Sequence, residues 1–443
     1  MSTATSTPAS PAARPATYRS VFAVGEFRLL FGGNLMYVLG FTFEILGLSV
    51  LVYAQTRSAF LASFAYSMGF APQVLGGAFL TALADRLAPR TVITAGLLLR
   101  AVPGLLIGAV PGMPVAVMLV LVAAAASIAP VFTAAISGLL ADVLDGDQYV
   151  LGRSALGLLS SSGQILGLGV AGAILAVLPA RWLLLAAGAA LVLSALIRRG
   201  IRPRPARTAG PVSVSSTVRA TMAGNRQLLA DRRIRGLMLA LWLPLTFDSG
   251  AESLVVPYVG LLGKPASAAG PLLAAGPAGM MAGQWVIGRF FRPAVRERLA
   301  FPLALLSGLP WLLFLARPPL ALAAVAMFAS GFGVAYILGI QQPFLRSVPS
   351  GLRGQAFGLN STGAMTGQGM GPWLMGALAA VLGPAGAMAA SGGAGIACTL
   401  ALFRSLTGRV AGPGDQGPYG RAAGMSNSLL LARRVPRGRG ARP

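Results

Sequence analysis

Four charged residues stand inside stretches otherwise built from Leu, Ala, Val, Gly and Phe: Glu44, Arg100, Asp248 and Glu252. A charged side chain at the centre of a bilayer costs at least ~2.5–3.5 kcal/mol, so such residues face a partner or a wet cavity. Burial favours the neutral form of a carboxyl. A carboxyl that alternates between wet and dry surroundings therefore takes up and releases a proton. Glu44, Asp248 and Glu252 are the candidate proton-coupling residues. Glu252 follows Asp248 by one helical turn, on the same face. The competing reading for each is a neutral carboxyl hydrogen-bonded inside a helix bundle. Arg100 sits on the order of 14 Å into its apolar run at 1.5 Å per residue. It either counters a carboxylate or anionic substrate, or serves a structural role, snorkelling to the headgroups or pairing with Asp142 or the loop before its run.

Glu44 and Asp248 belong to a longer repeat. Gly163-Gln164 opens the pattern G-Q-x-x-G-x-x-x-x-G-A-x-x-A-V-L, which recurs from Gly367-Gln368 at an offset of 204 (367 − 163 = 204). The same offset links Thr42-Phe43-Glu44 to Thr246-Phe247-Asp248 (248 − 44 = 204). Gly163, Gly167 and Gly172, with Gly367, Gly371 and Gly376, form flat helix faces that let backbones approach closely. A duplicated membrane bundle accounts for both repeats.

The composition requires the same solvent. The chain has 443 residues, of which 55% are hydrophobic and only 10% charged, against ~25% charged in soluble domains. Apolar runs near the ~20 residues that cross hydrocarbon fall at 29–53, 60–83, 91–111, 114–140, 151–178 and 181–197. A second set falls at 236–262, 268–290, 299–316, 319–342, 356–382 and 384–406. The expected fold is an all-α membrane protein with twelve transmembrane helices in two pseudo-symmetric six-helix bundles, 26–197 and 236–406. A cytoplasmic linker, 198–235, joins them and includes a surface helix near 216–232. Residues 1–25 and 407–443 read as disordered tails, the second basic. Alternate loops hold most of the arginines, which places both termini in the cytoplasm.

Several function classes are excluded. The net charge of +24 lies in loops and tails rather than on one face with interleaved aromatics, so nucleic acid is not the partner. There is no His, and Cys398 is the only cysteine, so no metal site and no internal disulfide is expected. Lys264 is the only lysine and precedes Pro265, which leaves no phosphate-binding P-loop. No cofactor and no catalytic set is visible, and an enzyme is not expected.

The loop around Asp85, Arg86 and Arg90 could dock on neighbouring helix ends and latch one of two conformations, with Arg100 as a further member. Asn34, Gln73, Gln164, Trp242, Gln284, Tyr336, Asn360 and Gln368 either line a cavity or bond helix to helix. Trp311 and Tyr258 read as interfacial anchors.

On these residues the chain resembles the major facilitator superfamily. The family's loop pattern, G-x-L-A-D-R-x-G-R-R/K, is matched by Leu83, Ala84, Asp85, Arg86 and Arg90, with departures at Thr81, Ala88 and Pro89. The exporter pattern of the fifth span, G-x-x-x-G-P-x-x-G-G, is approached by Gly163, Gly167 and Gly172. Leu168 and Ala171 depart from it, and the proline appears in the other half as Pro372. The family's arginine on the fourth span is missing. The resemblance covers about residues 20–406 and extends to bacterial macrolide- and siderophore-type exporters. It implies alternating access between two halves, with a substrate near the midplane.

Together these readings give a monomeric secondary transporter of the bacterial inner membrane. It couples protons to efflux of a small hydrophobic or cationic compound. The alternatives are an uptake permease on the same fold, and a membrane sensor that docks partners through its basic linker and tail.

Overall fold

A segment surrounded by hydrocarbon must satisfy its backbone internally, and helices do so within one segment. Every regular element among the described residues is helical. The computed structural model describes residues 17–79, 88–205 and 214–407. Asp85 and Arg86 of the expected latch lie outside them, as do the first sixteen residues and 408–443.

Helix α1 (Tyr18–Ala23) precedes α2 (Gly25–Thr56), α3 (Ala59–Ser67) and α4 (Ala71–Phe79). Then come α5 (Pro89–Ala109), α6 (Val115–Ala126), α7 (Ala129–Val143), α8 (Gly146–Val177) and α9 (Ala180–Arg198). After α10 (Val214–Ala230), the second set runs α11 (Arg232–Glu252), α12 (Val255–Leu261), α13 (Ala269–Phe290) and α14 (Pro293–Gly308). A 3-10 segment (Leu309–Ala316) leads to α15 (Leu320–Gly333), α16 (Tyr336–Ser347), α17 (Arg353–Ala401) and α18 (Phe403–Thr407). Prolines open many of these helices, where the missing N–H has no partner to lose: Pro89 and Pro293 lie within the first turn, and Pro114, Pro179 and Pro319 at the cap.

Nine helical stretches among the described residues are long and apolar enough to cross a bilayer. Large apolar side chains stand exposed on them, including Val120, Leu166, Val177, Leu315, Val325 and Val381. Water would not tolerate that surface, which suits a lipid surround. The chain is a multi-pass membrane protein. Helix α17 has 49 residues, about 74 Å at 1.5 Å per residue, far more than a ~30 Å hydrocarbon core. The chain breaks it at Gly383, whose φ of 71° suits a residue without Cβ.

The repeat seen in the sequence has a counterpart in contacts. Thr42 Oγ1 donates to the Val38 carbonyl at 2.8 Å, and Thr246 Oγ1 to the Trp242 carbonyl at 2.9 Å. Gly167 of α8 faces Thr42, where a Cβ would meet the threonine methyl at 3.2 Å. Gly371 of α17 faces the Thr246 carbonyl still more closely. The pairs 42/246 and 167/371 share the offset of 204. Gly172 and Gly376 then reach across to the opposite half. A Cβ on Gly172 would lie 2.9 Å from the Ser267 carbonyl, and one on Gly376 would lie 2.9 Å from Ser63 Cβ. Ser63 and Ser267 are again 204 apart (267 − 63 = 204). Contacts that swap partners between halves in this way describe a pseudo-twofold relation.

The apolar cores show where the halves meet. One cluster joins Leu46, Val50 and Leu168 of the first half to Leu254, Tyr258 and Leu273 of the second. At the opposite end, around the start of α2, the halves keep separate cores. Phe27, Leu30, Phe132 and Leu144 fill one; Met238, Tyr336, Phe344 and Leu406 fill the other. Two residues read as interfacial anchors are corrected here. Trp311 is 2% exposed and Tyr258 is fully buried. Their polar groups are satisfied inside the protein: the Tyr258 hydroxyl donates to the Pro318 carbonyl at 2.6 Å, and the Trp311 indole finds Asp248.

Candidate functional site

Glu44 on α2 and Asp248 on α11 each meet a donor from a later helical segment of the same half, but the donors differ in charge. Glu44 on α2 accepts from Arg100 Nη1 on α5 at 2.7 Å, with the two side chains 2% and 1% exposed. Glu44 Oε2 and Arg100 Nη2 have no hydrogen-bond partner among the described residues. Of the readings offered for Arg100, the one in which it counters a carboxylate is the one the structure shows, in place of the pairing with Asp142; the loop before its run lies largely outside the described residues. Arg100 is spent on a carboxylate at its own depth, while Asp142 lies in electrostatic reach of Arg204. The face of α2 that carries Glu44 also carries Gly40 and Gly47, which pack on α9. Glu44 thus points into its own bundle.

Asp248 on α11 has neutral partners. The Trp311 indole N–H donates to Asp248 Oδ1 at 2.9 Å. Ser330 Oγ on α15 lies 2.8 Å from the same oxygen and 2.6 Å from the Ser307 carbonyl. The serine has one proton, so it serves one of these acceptors at a time. One turn on, Glu252 Oε2 accepts from the Tyr66 hydroxyl on α3 at 3.3 Å. This bond crosses between the halves. The helix ends directly after Glu252, at Ser253, and a Cβ on Gly276 would sit 2.8 Å from Glu252 Oε1. Among the described residues no cation pairs with either acid.

A cavity opens beside Glu252 between the halves. Its lining includes Phe41, Thr42, Tyr66, Phe70 and Gln164 from the first half and Leu273 and Pro277 from the second. More contacts seal the halves past it. The Trp373 indole donates to Ser67 Oγ at 2.5 Å, and its ring stacks on Phe64 with centroids 5.1 Å apart. Ser63 Oγ donates to the Ser253 carbonyl at 3.4 Å.

Of the polar residues picked from the sequence, Gln164 lines this cavity. Asn34 donates to Ser160 at 3.2 Å, and Trp242 donates to Asn360 Oδ1 at 3.0 Å; both are helix-to-helix bonds. Gln73 donates to the Gly69 carbonyl. Gln284 is exposed and Gln368 half-buried. Tyr336 is fully buried with its hydroxyl unpartnered among the described residues. Arg90 is half-buried in the first turn of α5.

Sequence reasoning missed Tyr66, Ser330 and Arg198. Tyr66 and Ser330 sit in apolar runs where a hydroxyl was a usable signal. Arg198 read as one of a cluster of loop arginines, yet it is 1% exposed and its guanidinium packs on Gly33. The following residues turn back on α2: Arg204 Nη2 donates to Glu26 Oε2 at 2.8 Å, and Arg202 N–H to Glu26 Oε1 at 2.9 Å. That hydrogen bond to Glu26 holds the Arg204 guanidinium above its ordinary range.

A family model for the Major Facilitator Superfamily matches residues 30–350. The chain belongs to the Major Facilitator Superfamily. A comparison with curated proteins finds no match in sequence. Solved structures share the fold at low identity. A POT family transporter in complex with 5-aminolevulinic acid has a TM-score of 0.67 at 11% identity, covering 85% of this chain and 95% of its own. A bacterial homolog of the human lysosomal transporter Spinster, inward-facing and unoccupied, has a TM-score of 0.65 at 14% identity, covering 88% and 99%. The nucleoside transporter NupG has a TM-score of 0.66 at 14% identity, covering 86% and 99%. For this superfamily member, the cavity between the halves is the place where a small-molecule substrate is to be sought.

Proposed function

We propose that this transporter is a proton-coupled exporter of a small apolar or cationic compound, working by alternating access in a bacterial inner membrane. Asp248 and Glu252 are its proton site, and Glu44 with Arg100 is a fixed element of the first half. With Gly383 taken as a turn, and with α3–α4 and α13 added to the nine apolar stretches, the chain crosses twelve times. Both termini are then cytoplasmic, and the seal through Trp373 and Ser67 closes the outer side.

The observation behind this reading is the set of partners at the two acids. Two carboxylates one turn apart repel when both are charged, and here they meet only indole and hydroxyl donors. A proton is the neutralising ion that needs no further ligand. Ser330 can follow it: its hydroxyl donates to Asp248 when that acid is charged and turns to the Ser307 carbonyl when it is not. When the compound is uncharged, one proton moving inward across 100 mV releases ~2.3 kcal/mol, which supports roughly fortyfold accumulation, since ~1.4 kcal/mol is tenfold. Exchange for a monovalent cation moves no net charge and draws on the pH gradient alone.

The test is proton flux in proteoliposomes, with a pH-sensitive dye inside and a panel of candidate compounds outside. Compound-dependent proton movement that Asp248→Asn and Glu252→Gln each abolish is expected. Compound uptake that moves no protons would overturn the coupling, and uptake driven in the same direction as the proton would overturn efflux.

A further inference from the structure

Helices α2 and α9 pack in a seven-residue register. Gly47 faces Leu184, Gly40 faces Leu191, and Gly33 faces Arg198. At the first two levels a leucine fills the room left by the missing Cβ. At the third a guanidinium stem does so: a Cβ on Gly33 would lie 2.6 Å from Arg198 Nε. Ser194 Oγ donates to the Gly33 carbonyl at 2.7 Å and fixes the two helices at this level. Arg198 is 1% exposed, and its Nε, Nη1 and Nη2 have no hydrogen-bond partner among the described residues. Thr94 Oγ1 on α5 is buried and equally unpartnered. Helices α5 and α9 run antiparallel, with Gly104 packed on Gly188. Thr94 stands as far before Gly104 (104 − 94 = 10) as Arg198 stands after Gly188 (198 − 188 = 10), so the two lie at one level.

The charges around Arg198 do not balance. On α2, Glu26 is engaged by Arg204 and the Arg202 N–H, and Glu44 by Arg100. Asp142 on α7 lies in electrostatic reach of Arg204. The group in electrostatic reach of Arg198 is Tyr37, one turn beyond Gly33, and a phenol is neutral. A guanidinium keeps its proton in a protein, so Arg198 cannot shed its charge as a buried lysine would. Water would satisfy its N–H groups and leave the charge. We propose that Arg198 and Thr94 form a binding site for a small monovalent inorganic anion of chloride size, which ties α2, α5 and α9 together. Five N–H donors and one hydroxyl suit a ligand that only accepts, and hydrogen bonds from a guanidinium to an anion are the strong kind. Burial sets the size: a phospholipid headgroup reaches Arg198 only by parting α2 from α9, which Ser194 holds together. The site lies in the other half from Asp248 and Glu252, so its failure leaves the transport reading standing.

The probe is chloride. The purified full chain in detergent is exchanged into sodium gluconate, and binding of radioactive chloride is followed by scintillation proximity at constant ionic strength. The expected result is saturable binding of close to one chloride per chain, displaced by bromide and not by gluconate. The thermal unfolding midpoint should rise over the same range of chloride concentration. Arg198→Leu should weaken binding roughly tenfold or more and remove the chloride dependence of unfolding. That variant should still fold, because leucine repeats what Leu184 and Leu191 do against Gly47 and Gly40. Thr94→Val deletes one donor at constant shape and should weaken chloride severalfold without abolishing it, which keeps the claim testable if the leucine variant does not fold. Wild-type protein that binds no chloride overturns the proposal. So does chloride binding that both variants leave unchanged, or a rise in midpoint that gluconate matches at equal ionic strength. Stabilisation by short-chain phosphatidylglycerol, lost in Arg198→Leu and without any chloride effect, would assign the guanidinium to a lipid phosphate and overturn the small anion.

Discussion

Removing one member of the Glu44–Arg100 pair should unfold this protein more readily than removing either acid of the second half. The two side chains are 2% and 1% exposed, and they meet at 2.7 Å. Breaking a buried pair by deleting one partner leaves an uncompensated charge, which costs about 3–5 kcal/mol. Replacing both partners by apolar residues of similar volume is commonly neutral or stabilising by about 1–4 kcal/mol. Glu44→Leu alone and Arg100→Met alone should therefore each destabilise by about 3 kcal/mol or more. The double variant should recover most of that loss, for a coupling energy of several kcal/mol. Glu252→Gln gives the contrast. It keeps an acceptor for the Tyr66 hydroxyl and removes no ion pair, so the change is on the order of 1 kcal/mol or less. Unfolding in mixed micelles, followed by pulse proteolysis, ranks all four variants on one scale. Singles that simply add in the double would refute the argument, because additivity means the pair is not a unit. A mild Glu44→Leu that nevertheless removes proton-linked transport would reverse the assignment of roles between the halves.

Three further outcomes follow from the contacts. Trp311→Phe removes the indole donor to Asp248; with flux measured against pH, its profile should move while the neighbouring Phe314 contact keeps the fold, and an unmoved profile would leave the indole without a role at the acid. A cysteine pair at Ser63 and Gly376, where a Cβ on the glycine would lie 2.9 Å from Ser63 Cβ, with Cys398 replaced by Ala, should cross-link under oxidant and stop transport until a reductant is added. Transport that continues in the cross-linked protein would show that this seal does not open during the cycle. Gly371→Ala should cost more stability than Gly167→Ala. A methyl at 371 meets the Thr246 carbonyl in hard contact, whereas one at 167 meets a side-chain methyl at 3.2 Å that can give way; equal losses in the same proteolysis assay would contradict that reading.

The helical architecture was legible because apolar length and the 204-residue offset are properties of sequence. Thr42 and Thr246 make the same backbone bond, and Gly167 and Gly371 pack on them, because duplicated residues were duplicated together with their surroundings. What the sequence left open is which acid meets which donor. Arg100 is 56 positions from Glu44, and Tyr66 is 186 from Glu252. No periodicity along one helix encodes a partner on another. Trp311 misled for a related reason. An aromatic residue near the end of an apolar run suits a headgroup and a buried acid equally well, and only the path of the 3-10 segment after α14 turns it inward. Arg198 read as a loop cation because its neighbours are Arg199 and Arg202, but α9 continues through it and lays its side chain on Gly33.

The repeat gives two acids in matching places, yet the proposed coupling needs them to behave differently. A carboxylate held by a guanidinium stays charged whichever way the cavity opens, so binding and release of a proton at Glu44 would have to break a buried ion pair at every turnover. A carboxylate held by an indole and a hydroxyl has no such barrier. The interface adds a third acid: Glu44 and Asp248 each bond within their own half, whereas Glu252 bonds across to Tyr66. On the proposed reading, only Glu252 can sense the separation of the halves, because parting them removes its donor and admits water to the carboxyl together. The first half then moves as a rigid body, stiffened by its ion pair, and the second half carries the charge that changes.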